Sequence, residues 1–206
     1  MARYTKAVCK LCRRERKKLF LKGERCFTPK CAYEHRSYAP GHHGKVEPKV
    51  SEYGIRLREK QALRRIYGLS EVQFSNYFAK ASKAKGVTGE KLFEMLERRL
   101  DNVIYRLGLA ASRTQGRLIV RHGHVLIDNQ KVDIPSYQVK AGNVISIRDK
   151  SQKTIKNRFD DKKERTTPDW LSFDLEKMEG KILNIPTRDQ IDTQVEENLI
   201  VEYYSR

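Results

Sequence analysis

The sequence predicts an α+β protein: an irregular N-terminal cysteine knuckle for a metal, a helical domain, and a small α/β-hairpin module inserted within it. Three observations carry that reading. All four cysteines fall within the first 31 of 206 residues, in a stretch of little periodicity. Apolar residues then recur at helical spacing through residues 51–107. After Ser112 the pattern shortens to β-branched runs separated by turn residues. The expected division is 1–45 for the knuckle and a basic extension, 46–98 for the first part of the helical domain, and 99–163 for the module. Residues 164–206 form a C-terminal segment expected to pack back on the helical domain.

The cysteines are Cys9, Cys12, Cys26 and Cys31, two pairs spaced Cys-x-x-Cys and Cys-x-x-x-x-Cys with 13 residues between them. Two residues between thiolates let one tight turn present both sulfurs to a single ion, and a second pair completes a tetrahedron. The spacing therefore points to one structural zinc ion. An iron–sulfur cluster accepts the same four ligands. Disulfides need an oxidising compartment, and a redox pair would sit beside a βαβ pattern that this sequence lacks. Vestigial thiols are the plain alternative. His35, His42 and His43 read as loop or RNA-contact residues, because four thiolates already close the shell.

The irregular stretch ends in Tyr38-Ala39-Pro40-Gly41-His42-His43-Gly44-Lys45, a loop punctuated by Pro-Gly and a second Gly. In the helix expected over 51–67, Arg56, Lys60 and Arg64 stand at i, i+4 and i+8 as one basic stripe. Gly68 ends it, and Ser70 caps the next helix, where Phe74, Tyr77, Phe78 and Ala81 share a face. Thr88 opens a third long helix striped by Leu92, Leu96, Leu100, Val103 and Leu107. A short basic helix from Ser112 stops near Gly123. A hairpin follows, 125–127 and 131–134 around Asp128-Asn129-Gln130, and a further strand spans 144–148. Charged helix is expected over 151–165 and a closing helix near 196–204.

The formal net charge is +17, graded along the chain: +10 over residues 1–50, +5 over 51–100, +4 over 101–150 and −2 over 151–206. Solubility needs a net charge of only about 2–8 on a small domain, so a polyanionic partner is the stronger reading. Nucleic acid fits better than a membrane surface, because the basic segments lack an apolar face with aromatic anchors. No run of about 18 apolar residues spans a membrane. The opening Met1-Ala2-Arg3-Tyr4-Thr5-Lys6 leads into charge rather than a signal peptide, so a cytoplasmic protein is expected. A phosphate-binding glycine loop, a nucleophile elbow and paired active-site carboxylates are all missing from the sequence, which argues against an enzyme and against a small-molecule substrate.

The module resembles the S-four RNA-binding domain. The resemblance rests on Arg99-Leu100-Asp101, Ser112-Arg113-x-Gln115-Gly116-Arg117 and Ile119-Val120-x-x-Gly123-His124-Val125. It continues through Ile127-Asp128-Asn129-Gln130-Lys131-Val132 and Pro135-Ser136-Tyr137. Outside the module, the cysteine knuckle and the Tyr38-Ala39-Pro40-Gly41-x-His43-Gly44 loop match together with Tyr53-Gly54-x-x-Leu57-x-Glu59-Lys60-Gln61. Arg64-x-x-Tyr67-Gly68 and Pro168-x-Trp170-Leu171 follow in the same order. Across nearly the whole chain this resembles the bacterial family of small-subunit ribosomal protein four. Two positions depart from the family pattern: Asn129 stands where Gly is frequent, and Asn143 where Asp is.

The resemblance implies a non-enzymatic protein that binds 16S ribosomal RNA at a multi-helix junction of the 5′ domain and nucleates assembly of the subunit body. It further implies neighbours in small-subunit proteins five and three, proximity to messenger RNA where it enters the subunit, a part in translational accuracy, and repression of its own operon in some members. Shape recognition of packed phosphates is the expected mechanism. The basic residues expected to carry it are Arg13, Arg14, Lys17, Arg56, Lys60, Arg64, Arg113, Arg117, Arg121 and Lys131. Tyr53 and Tyr67 read as packing residues, with stacking on bases as the alternative. Two other classes compete: an RNA-modifying enzyme, which would need a larger catalytic domain, and a zinc-finger DNA-binding regulator, which duplex DNA competition would reveal.

Overall fold

The computed structural model describes residues 4–46, 49–156 and 167–205. The helical elements begin with α1 (Cys9–Glu15), a 3-10 turn (Gly23–Phe27), α2 (Ala32–His35), α3 (Glu52–Ile66), α4 (Glu71–Lys83), α5 (Thr88–Glu97), α6 (Leu100–Arg106) and α7 (Arg113–Arg121). Then come β1 (Val125–Ile127), β2 (Gln130–Lys131), β3 (Val144–Ile147), α8 (Asp149–Lys156), β4 (Leu171–Asp174) and β5 (Glu179–Ile182). A second 3-10 turn (Arg188–Gln190) and α9 (Glu197–Tyr204) complete the order. Two compact units result: Met1–Leu92 with Thr193–Arg206, and Phe93–Asp192.

In the first unit, serine hydroxyls start the helices as expected. Ser51 accepts from the Gly54 amide at 3.2 Å, and Ser70 from the Gln73 amide at 3.3 Å, each satisfying a donor that the first turn leaves unpaired. Gly68, at φ +62°, ends α3. Leu63, Phe74 and Ala81 are fully buried, and α9 adds Ile200 to the same core while packing along α3. Tyr204 stacks on Phe78 at 4.4 Å between ring centroids. Each such large side chain contributes about 1.5–3 kcal/mol by leaving water.

The second unit sets helices against one antiparallel sheet of order β2-β1-β3-β5-β4. Its core gathers Leu100, Ile104, Val120, Val125, Ile145, Ile147 and Trp170. The α6 and α7 helices approach so closely that a Cβ on Gly116 would lie 2.5 Å from the Asp101 carbonyl oxygen. Asp128 and Asn129 both hold left-handed φ values, 48° and 64°, which makes the hairpin a two-residue turn of the type whose twist suits paired strands. Gln130 therefore belongs to a strand, paired with Ile127, and β2 is two residues long rather than four.

Two expectations are corrected, and a third is only partly covered. The long helix from Thr88 breaks after Glu97: Arg99 is extended, the Leu100 amide bonds Tyr137 O at 2.9 Å, and the Val139 amide bonds Arg98 O at 3.0 Å. A distant strand-like segment thus overrides an unbroken apolar stripe. Residues 171–182, placed in a segment packing on the helical domain, instead form a hairpin whose β5 pairs with β3 and extends the second unit's sheet. Only 193–206 joins the helical unit. Of the charged helix expected over 151–165, α8 covers the residues up to Lys156, and 157–165 lie outside the described residues.

Candidate nucleic-acid interface

In the second unit, a cationic edge forms where α7 turns into β1. Gly123 makes that turn at φ +72°, a left-handed conformation that favours glycine, and the end of the Lys131 side chain crosses over it. Arg148 hydrogen-bonds through its amide to His124 O (3.0 Å) and through Nη1 to Gly123 O (3.4 Å). The His124 ring is held by Ser151 at 2.8 Å. Arg121, His122, Lys131 and Arg148 are all exposed around this turn. Arg121 and Lys131 were expected here. Arg148 was not singled out, although the alternation that buries Ile145 and Ile147 predicts that Ser146 and Arg148 face outward.

Arg113 and Arg117 serve the interior of the same unit. Glu97, fully buried, accepts two parallel hydrogen bonds from Arg106 at 3.0 Å each and a third from Asn102 Nδ2 at 2.8 Å. Arg113 donates to Asn102 Oδ1 at 2.7 Å, stands 3.8 Å from Glu97, and lies over the Tyr105 ring. Arg99 pairs with Asp101 through two bonds of 3.1 and 2.6 Å, and Arg117 reaches the same carboxylate at 3.5 Å. Charges this buried persist because each is matched and hydrogen-bonded. The network fixes the start of α7 against α6, so these arginines orient the basic helix.

In the first unit the basic stripe of α3 turns inward, which corrects the reading of Lys60 as a surface contact. Lys60 is 2% exposed, its amine 2.6 Å from Glu71 and 4.6 Å from the centre of the Tyr203 ring. Arg56 binds Glu202 at 2.5 Å and Glu52 at 3.1 Å. Arg64 binds Gln61, Leu69 O at 2.9 Å and Glu71 at 3.4 Å. Lys17 pairs with Glu59. Arg13 donates to Tyr38 O at 2.9 Å and covers the Tyr38 ring, pinning the irregular loop. Arg14 is exposed beside a cavity of about 670 Å³ lined also by His42, His43, Val50, Leu57 and Arg58. At its edge Glu15 is buried and paired with Arg65 and Arg58; burial pushes its carboxyl up despite those cations, and burial likewise lowers Arg65. Tyr67 is buried, and Tyr53 lies against Tyr203 while half its surface stays in water.

The four thiols are free, and all but Cys9 are buried. Cys9 and Cys12 lie on α1, Cys26 in the 3-10 turn, and Cys31 just before α2. Burial raises the Cys12 thiol above its ordinary value, a bond to the Leu19 backbone opposes this, and the charges of Cys26, Cys9 and Cys31 add to the rise. Cys26 is raised first by burial and then by Cys31 and Cys9. The four are thus electrical neighbours. Among the described residues no group of three or more Cys, His, Asp or Glu side chains has metal-holding geometry, and no helix is long and apolar enough to cross a membrane.

The model of the ribosomal protein S4/S9 N-terminal domain matches residues 3–97, and that of the S4 domain matches residues 98–145. Among curated proteins, the small ribosomal subunit protein uS4 of Pelotomaculum thermopropionicum and that of Halothermothrix orenii are each 57% identical over 208 positions, covering all of both chains. The small ribosomal subunit protein uS4A of Clostridium novyi is 55% identical over 206, again covering both completely. With both halves of the family pattern matched in order and relatives aligned end to end, the chain belongs to the ribosomal protein S4 family.

Proposed function

We propose that this chain is a structural constituent of the small ribosomal subunit, acting by binding ribosomal RNA rather than by catalysis. The observation that carries the proposal is end-to-end identity of 57% with proteins named for that subunit. The +17 charge and the exposed Arg121, Lys131 and Arg148 supply the electrostatics that such binding needs. Its place is the cytoplasm, with the ribosome.

The finer reading is a primary binder of 16S ribosomal RNA at a multi-helix junction in the 5′ domain. Such a junction crowds phosphates, and a protein with cations on several faces favours its folded form over looser ones. Arg14, Arg121 and Lys131 are the expected residues with side chains most open to phosphate; Arg13, Lys17, Arg56, Arg64, Arg113 and Arg117 act chiefly by fixing the surfaces around them. Bound there, the chain nucleates the subunit body, neighbours proteins five and three, lies near messenger RNA where it enters, contributes to accuracy, and can repress its own messenger. Cys9, Cys12, Cys26 and Cys31 are assigned one zinc ion on the softness of four thiol donors and the spacing of the two pairs in the sequence. Zinc would supply structure there, closing the segment that carries Arg13 and Arg14.

The test is binding of the purified, metal-loaded chain to the 5′ domain of 16S ribosomal RNA across a salt series, with excess transfer RNA and duplex DNA as competitors. If six to ten phosphates are contacted, affinity falls about 10³–10⁵-fold between 50 and 200 mM salt. Binding that either competitor abolishes, or a flat salt response, would overturn it.

A further inference from the structure

Phe20 and Phe27 form an aromatic pair that the core does not use. Their rings stack at 4.9 Å between centroids and 24° between planes. Phe27 is 68% exposed, the most exposed aromatic side chain among the described residues, and Phe20 is 38% exposed. Phe20 holds this position at φ +50°, a left-handed conformation that a bulky residue rarely adopts. Such strain persists where the surrounding structure enforces it, and it gathers at functional surfaces. The local charge is net positive: Lys22, Arg25 and Lys30, all exposed, sit within three residues of one ring or the other, against the one carboxylate of Glu24.

We infer that the Phe20–Phe27 pair is a stacking platform for an unpaired nucleobase of the bound RNA, with Lys22, Arg25 and Lys30 meeting its flanking phosphates. The inference rests on the RNA-binding reading above. A lone exposed ring could be ordinary surface. Here two rings are pre-stacked, so the outer face of Phe27 is flat and held in place before binding. Stacking suits any base, because every base has a π face. A protein partner would meet the same rings through apolar area, and three adjacent cations make that the poorer match.

The experiment uses the full chain and the 5′ domain of 16S ribosomal RNA. Phe27→Ala weakens binding by about 5–150-fold, the loss of one base–aromatic stack. Phe27→Trp restores it, and Phe27→Leu, which keeps apolar area without a π face, does not. Ultraviolet irradiation of the wild-type complex, followed by trypsin digestion and mass spectrometry, places a nucleotide adduct on peptide 19–22 or 26–30. Phe27→Ala binding as tightly as wild type, Leu rescuing as well as Trp, or adducts confined to other peptides would each overturn the platform while leaving RNA binding intact. Failure of the wild-type chain to bind would overturn both.

Discussion

Replacing Glu97 by alanine tests the buried network at its centre. The carboxylate is fully enclosed and receives two bonds of 3.0 Å from Arg106 and one of 2.8 Å from Asn102, with Arg113 3.8 Å away. Removing one partner of a buried pair costs about 3–5 kcal/mol, because the remaining charges are left enclosed and uncompensated. Two features reduce that. Arg106 keeps Asp192 at 3.1 Å and Arg113 keeps Asn102 at 2.7 Å. Removing a negative charge from the last turn of α5 also relieves its helix dipole by about 0.3–1 kcal/mol. The net expectation is a loss of about 3 kcal/mol. The chain has a single tryptophan, Trp170, 1% exposed in the core of the same unit, so its emission reports this unit's unfolding alone. With a urea slope of about 1–3 kcal/mol/M, the midpoint should drop by about 1–3 M at unchanged slope. Glu97→Gln, which keeps an acceptor and loses the charge, should fall between. A loss for Glu97→Ala below about 1 kcal/mol would refute the account of the network as a matched set of buried charges.

Other outcomes follow from particular contacts. Glu15 has its carboxyl raised by burial, so between the ordinary carboxylate range and that raised value the folded chain holds the extra proton; its contribution to stability is present at low pH and lost as pH rises. Thermal melts across that window should show the decline in wild type and a flatter curve in Glu15→Gln; parallel curves would contradict it. Chelation should raise hydrogen exchange in residues 1–45 and leave the Trp170 emission unchanged, whereas a cooperative shift in that emission would tie the thiols to the second unit. Asn143 donates to Asp128 at 2.6 Å and accepts from the Lys140 amide at 2.7 Å, two roles that a carboxylate cannot combine. Asn143→Asp should therefore cost about 1 kcal/mol in urea unfolding at neutral pH and less below about pH 4, where a protonated carboxyl can again donate; an equal cost at both would refute it.

Where local chemistry decides, the sequence was a good guide. Ser70, Gly68 and Asn129 each act through their own backbone or the next turn, and each stands where it was read. The break at Arg99 was invisible because Leu96, Leu100, Val103 and Leu107 keep one period across it, and the bonds that impose it come from residues 137 and 139. Lys60 misled for a similar reason. Cations at i, i+4 and i+8 look like a wet face, and the groups that bury this one, Glu71 and Tyr203, are 11 and 143 positions away. Likewise 171–182 showed short apolar runs, but only pairing with β3 makes them sheet.

The return of residues 193–206 to the first unit orders events during synthesis. The whole second unit has been made before α9, so it can acquire its sheet and core while the first unit still lacks the helix that closes it. Until then Lys60 has no Tyr203 above its amine, Arg56 has no Glu202, and Phe78 has no Tyr204. The part of the chain translated first is therefore completed last, and a released chain ending before residue 197 would carry every element of the second unit and a helical unit still lacking α9.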